Sequence, residues 1–362
     1  MTQKIYAMIA IVVMVTVGCV SLAVAAEWDQ VLAAAKKEGT VSVIGPVGED
    51  RGDTLKGPFE KKYGIKVEYW GESGRSVGPK LTAERKAGKF LWDIIVHGTT
   101  TALTILIPGG MIESLEPALI LPEVKDPKQW RGGGPDYIEA GKRCLVMTPS
   151  QRGTLYVNPT IVKPESITSY KDLLNPKYKG KIVLQDPLSG GPGQATFTFF
   201  YLHPALGPNF IRELAKQQPA ILTDYTQEID SIAKGKFLVL VGLSDIIAEE
   251  RMRAGIPIAI IDPHKLKEGS DVSGGSGGIA MFNRAPHPNA AKVYINWLLS
   301  KEGQTGFAQG NGYISARLDV STAHSPWRIP MPGAIRTDTQ AAMDVKDELR
   351  ALLREALPMK PK

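Results

Sequence analysis

Five short segments of this chain, 45–51, 73–76, 97–101, 189–194 and 243–245, stand where strands end, and several of them are rich in glycine, serine and threonine. Free backbone N–H groups at a helix start, together with the positive end of the helix dipole, suit a carboxylate or a phosphate-like group. Arg51 and Arg75 would add charge-assisted hydrogen bonds. The residues this chemistry singles out are Gly48, Arg51, Ser73, Gly74, Arg75, Thr99, Thr100, Ser189, Gly190, Ser244 and Asp245. Tyr225, beside Thr223 and Asp224, is a candidate aromatic wall. The same residues also have a structural reading, with Ser73 and Ser189 as N-caps, the glycines as turn residues and Tyr225 as core. Glu49, Asp50 and Asp53 would attract a cation such as a polyamine, although acids in a first helical turn also serve the dipole.

Catalytic patterns fit less well. Gly71-Glu72-Ser73-Gly74 lacks the glycine two residues after the serine that a nucleophile elbow needs, since position 75 is Arg. Gly191-Pro192-Gly193-Gln194-Ala195-Thr196 comes near a dinucleotide fingerprint but ends in Thr. Gly141-Lys142 has no upstream phosphate-loop glycine, and the five histidines show no metal-ligand spacing. No catalytic residue, metal site or cofactor is expected, and the reading moves from enzyme towards binder.

The N-terminus points the same way. Lys4, the apolar run 5–17 and the small-residue exit Ala23-Val24-Ala25-Ala26 have the layout of a secretory leader, giving a signal peptide over 1–26 and an exported, periplasmic chain. The run is too short for a good membrane span. Cys19 offers lipid attachment as an alternative, but it lacks the leucine three residues ahead of it. After cleavage Cys144 is the remaining cysteine, so no intramolecular disulfide is expected. The formal charge of +6 is scattered among acids without an aromatic-basic run, which argues against nucleic acid.

The elements that must hold those loops alternate in type. A helix over 29–38 ends at Gly39, a strand over 40–44 follows, and a helix over 53–63 closes at Gly64. Strands are expected over 65–70 and 92–96, with a helix through Glu84 and Lys86 between them. A second series starts after 145–157. It has strands over 181–185, 237–241 and 256–261, and helices reaching 201, 234 and 254. A strand over 279–282 and a helix over 290–300 come next. The tail ends in a helix with Val345, Leu349, Leu352, Leu353 and Ala356 on one face. Strands alternating with helices predict an α/β fold with a mostly parallel sheet, whose ligands sit beyond the carboxyl ends of the strands.

Three stretches carry a family resemblance. The Ala/Lys helix ending in Lys37-Glu38-Gly39 and its strand form the first. Phe59-Glu60-Lys61-Lys62-Tyr63-Gly64-Ile65-Lys66-Val67 is the second. Pro286-His287-Pro288-Asn289, with Trp297-Leu298-Leu299-Ser300-Lys301-Glu302-Gly303-Gln304, is the third. Together they resemble the family 1 extracellular solute-binding proteins of bacterial ABC transporters. The resemblance implies a two-lobed, type II-like periplasmic-binding-protein fold with a ligand cleft between the lobes. Lobe 1 would comprise 27–148 and about 278–315, and lobe 2 about 149–277. The last 316–362 would form a crossing segment and a helix on one lobe. Implied partners are a small-molecule solute and an inner-membrane ABC permease, with the protein acting as a monomer by hinge closure. The ferric-ion-binding members are similar in layout but carry adjacent tyrosines after the strand that is here 237–241. This chain has Gly242-Leu243-Ser244-Asp245 there. A small organic anion is therefore the expected solute, with a ferric ion, a polyamine and a periplasmic enzyme as the alternatives.

Overall fold

A computed structural model describes residues 24–72 and 74–357. The apolar run 5–17, Cys19 and most of the expected leader lie outside the described residues. Among the described residues no helix is long and apolar enough to cross a membrane. The chain forms two compact units, one running up to Thr148 and again over Gly275–Ser321, the other over Pro149–Gly274 and from Thr322 onward.

The first unit is built on strands β1 (Thr40–Gly45), β2 (Lys66–Gly71), β3 (Ile94–His97), β4 (Ile112–Glu113) and β5 (Leu145–Val146), with β13 (Gly278–Phe282) returning to them. The sheet order is β2-β1-β3-β13-β4, and β5 also pairs with β13. β1 runs parallel to both neighbours, with Val43 opposite Tyr69 and Ile94. β13 is antiparallel to β3, β4 and β5. The first helix, over 24–38, stops where Gly39 adopts a left-handed φ of 73°. The helix Glu49–Tyr63 stops in the same way at Gly64. Both stops place a residue without Cβ where an L side chain would be strained.

The helix Pro288–Leu299 is buried on nearly every face and forms the centre of this unit. Phe59 packs against Tyr294 at 4.9 Å and Trp297 at 5.3 Å between ring centroids. Such aromatic pairs contribute about 0.5–1.5 kcal/mol each beyond their buried area. Asn296 lies in the same buried face without penalty. Its Oδ1 accepts from Ile120 N and Leu121 N, and its Nδ2 donates to Ala118 O and Lys292 O.

The second unit holds β6 (Ser150–Gln151), β7 (Leu155–Val157), β8 (Ile182–Gln185), β9 (Ala220–Leu222), β10 (Val239–Val241), β11 (Ala259–Ile260) and β12 (Val272–Ser273). Its main sheet has the order β11-β7-β10-β8-β9, and β6 pairs with β12 in a separate ribbon. β8 is parallel to β9 and β10, while β7 is antiparallel to β10 and β11. The segment 145–157 holds three short strands, β5, β6 and β7. Phe197, Phe199, Phe200, Phe210 and Tyr170 fill this core. The last helix, Lys346–Ala356, buries Leu349, Leu352 and Leu353 in the same cluster. Its apolar face is therefore spent on its own unit.

Candidate functional site

In each unit the candidate loops follow the carboxyl ends of parallel strands. In the first unit, Gly48 caps the helix Glu49–Tyr63 with φ 119° and no side-chain cap. That helix starts four residues ahead of the expected position 53, so Arg51 stands in its first turn rather than in a loop. Gly74 and Arg75 open the helix Gly74–Lys86 after β2. Ser73 lies outside the described residues. Thr99 and Thr100 begin the turn after β3, Thr99 buried and Thr100 exposed. Since β2, β1 and β3 are hydrogen-bonded neighbours, these loops stand side by side at one edge.

Several glycines at this edge are explained by packing. A Cβ on Gly45, Gly52 or Gly71 would meet the ring of Tyr69, whose hydroxyl donates to Pro46 O at 2.5 Å. His97 fastens the same edge. Gly98 N donates to its Nδ1 at 2.8 Å, and its Nε2 stands 3.2 Å from Glu72 O. The first bond needs a bare Nδ1, so Nε2 carries the proton and donates to Glu72 O. Burial, which lowers the His97 pKa, favours this neutral ring. Gly275, with φ 56°, lies against Tyr313, an aromatic residue that sequence reasoning did not single out.

In the second unit, β8 ends at Gln185 and the chain turns through Gly190 (φ 88°) and Gly191 (φ 77°) into the helix Pro192–Leu202. That helix has Gly191 as its N-cap and no side-chain cap. Ser189 is therefore not the cap, and its hydroxyl donates to Asp186 O at 3.1 Å. A Cβ on Gly193 would collide with the Gln185 backbone, and one on Gly242 would sit 2.9 Å from Gly193 Cα. The two strand ends touch there through glycine alone. Tyr225 is the first residue of the helix Tyr225–Ala233, which Asp224 caps by accepting from Gln227 N at 2.8 Å. The Tyr225 hydroxyl borders Gly191, and burial raises its pKa.

Ser244 is the N-cap of the helix Asp245–Arg253 without a side-chain cap bond. Asp245 turns inward. Its Oδ1 accepts from Tyr156 Oη at 2.6 Å and Gly153 N at 2.9 Å, and its Oδ2 lies 3.5 Å from Arg328. Arg328 also reaches Glu249 at 3.2 Å. Arg152 lies 3.8 Å from Asp271, whose Oδ2 accepts from Thr337 Oγ1 at 2.9 Å. Sequence reasoning missed Arg152, Tyr156, Asp271 and Arg328; Asp271 does stand beside the glycine-rich stretch 274–278, while Tyr156 sits within an apolar strand and gives no such signal. Glu228, fully buried on the same helix as Tyr225, has no hydrogen-bond partner on either side-chain oxygen among the described residues. Burial first, and the Asp224 charge second, push its pKa up to about 8.

Among the described residues no group of three or more His, Cys, Asp or Glu side chains is arranged to hold a metal ion. Cys144 is buried beside Gly278 and forms no disulfide among the described residues.

An α/β unit of this strand order, with short glycine loops at the carboxyl ends, defines a ligand-binding fold of the periplasmic type. Residues 54–332 match the profile of the bacterial extracellular solute-binding proteins, and the chain belongs to that family. An uncharacterized protein of Haemophilus influenzae is 25% identical over 260 residues, 70% of each chain. Three solved structures share the fold. An ABC transporter structure from Clostridium perfringens superposes with a TM-score of 0.69 at 17% identity, covering 88% of this chain and 99% of its own. Trichodesmium FutA, in complex with iron and citrate, gives 0.67 at 18% identity over 88% and 99%. AfuA of Actinobacillus pleuropneumoniae, with bound fructose-6-phosphate, gives 0.63 at 18% identity over 89% and 99%. The α/β reading, the two-lobed fold class and the family resemblance all hold.

Proposed function

We propose that this chain is the solute-binding component of an ABC importer that captures a small organic anion, a carboxylate or a phosph(on)ate, in the periplasm. Closure of the two units over the solute would work by population shift, the solute favouring the closed form by its differential affinity. The closed form then delivers the solute to the permease. The observation that carries the anion is the turn after β8: two successive left-handed glycines lead into a helix with no side-chain cap, beside the Tyr225 hydroxyl. Such a terminus presents partial positive charge to a ligand. Gly74 and Arg75 at the start of their own helix supply a matching terminus in the first unit. Two of the fold's solved relatives, FutA with iron and citrate and AfuA with fructose-6-phosphate, have an anion in their structures.

Thermal-shift measurements on the purified protein test the proposal, with carboxylates, phosphonates, sugar phosphates, polyamines and ferric citrate as the panel. A ligand at about 100 times its Kd stabilises by roughly 2.7 kcal/mol. The expected result is a shift of several degrees with one anion class, lost in Arg75→Ala. A shift confined to polyamines would replace the anion by a cation. A shift with ferric citrate and none with citrate would return the reading to iron. Turnover of a bound compound would make the protein an enzyme.

A further inference from the structure

We infer that Arg152 and Asp271 form a hydroxyl-reading pair in the second unit, so that the solute carries a hydroxyl group as well as its negative charge. This rests on the anion-binding reading above and narrows it. The two residues flank β6 and β12 and are held firmly by their backbones. Arg152 N donates to Asp271 O at 2.9 Å, and Ser270 Oγ donates to Arg152 O at 2.5 Å. Their side chains are close but not joined. Nε of Arg152 stands 3.8 Å from Asp271 Oδ2, beyond hydrogen-bond reach, and has no hydrogen-bond partner among the described residues. Asp271 Oδ2 is taken by Thr337, while Oδ1 is buried and equally without a partner. One donor and one acceptor are thus left unmatched within the same pair.

Leaving such groups unmatched costs about 1–3 kcal/mol each, so a solute group that matched both would gain on binding. The charge of the cluster says which kind. Arg152 and Arg328 stand among Asp245, Asp271 and Glu249, so a carboxylate or phosphate gains no net attraction here. A carboxylate could satisfy Arg152 but would face Asp271, and an ammonium could satisfy Asp271 but would face Arg152. A hydroxyl accepts from the one and donates to the other. The two unmatched atoms are themselves buried, and the Arg152 side chain, 16% exposed against 0% for Asp271, is the side from which a solute would approach them. Arg152 lies near enough to Tyr225 for its charge to lower the phenol's pKa, and Tyr225 borders the Gly190–Gly191 turn proposed to take the charged end.

Isothermal titration of the full chain with matched pairs decides the matter. Citrate against tricarballylate, and glycerol 3-phosphate against propyl phosphate, differ only in hydroxyl groups. The expected result is at least ~10-fold tighter binding of the hydroxylated member, since a site built around a hydroxyl rejects its deoxy analogue strongly. Arg152→Met and Asp271→Asn are expected to bring the two members within about twofold of one another. Equal binding of both members by the unaltered protein overturns the hydroxyl pair and leaves the anion reading standing. If none of the four compounds binds, the comparison moves to the anion that the thermal-shift panel identifies and its deoxy analogue; if no anion in either set binds, both readings fall. The comparison on the unaltered protein stands even where a variant fails to fold.

Discussion

The Tyr156 phenol donates to Asp245 Oδ1 at 2.6 Å across a sequence separation of 89 residues. Both residues are buried, and burial together with the Asp245 charge raises the Tyr156 pKa well above its ordinary value. The bond ties the middle of β7 to the first residue of the helix Asp245–Arg253 that follows β10. Tyr156→Phe leaves Asp245 Oδ1 with Gly153 N alone. The expected loss is on the order of 1–3 kcal/mol in urea unfolding. A loss below about 0.5 kcal/mol would show that the bond adds nothing net.

Arg328 is 2% exposed and stands between Asp245 and Glu249. Arg328→Met leaves two carboxylates facing one another without their cation, and a cost of about 3–5 kcal/mol follows. Lys234, paired with Asp230 at the surface, provides the contrast. Lys234→Met is expected to change stability by less than about 1 kcal/mol. Comparable losses for the two variants in chemical denaturation would contradict the assignment of Arg328 as an internal clamp.

Glu228 sets a pH dependence. Its pKa is about 8 in the folded chain against an ordinary 4.5, so between those values the folded state holds a proton that the unfolded state has released. Its contribution to stability is therefore fully present below pH 4.5 and declines as pH rises to about 8. Glu228→Gln keeps the neutral shape at every pH. The variant is expected to gain on the unaltered protein between pH 5 and pH 9, by an amount on the order of a few kcal/mol. Parallel stability curves over that range would place the titration elsewhere.

Two glycines predict opposite signs. Gly193→Ala drives a Cβ into the Gln185 backbone and is expected to cost about 1–3 kcal/mol. Gly306 lies exposed inside the helix Lys301–Gly310, with nothing within 4 Å of a built Cβ. Gly306→Ala is expected to stabilise by about 0.5–1 kcal/mol through helix propensity. Thermal unfolding of the two variants checks both signs at once.

Much of the fold was legible because its signals are local. The stops at Gly39 and Gly64, the strand Thr40–Gly45 and the leucine face of Lys346–Ala356 are written in composition and spacing over a few residues. The start of the helix Glu49–Tyr63 was not. Reading the glycine-rich stretch as a loop ignored that Gly45 and Gly52 are needed to admit the Tyr69 ring, a contact made from a different strand. The amphipathic helix Gly207–Lys216 went unread behind its Gly-Pro start, which resembles a turn.

By itself the sequence determined the alternation of strands and helices, the family, and which glycine-rich turns stand at strand ends. Those properties depend on backbone propensity and on periodicity, which act between near neighbours. Only the tertiary structure decided that Arg152, Asp271 and Thr337 meet, that Asp245 turns to Tyr156 rather than outward, and that Glu228 is buried without a partner. These groups come from segments far apart in the chain. Their pairing is set by strand order and by the cost of leaving charge in a low-dielectric interior, and no local pattern records either.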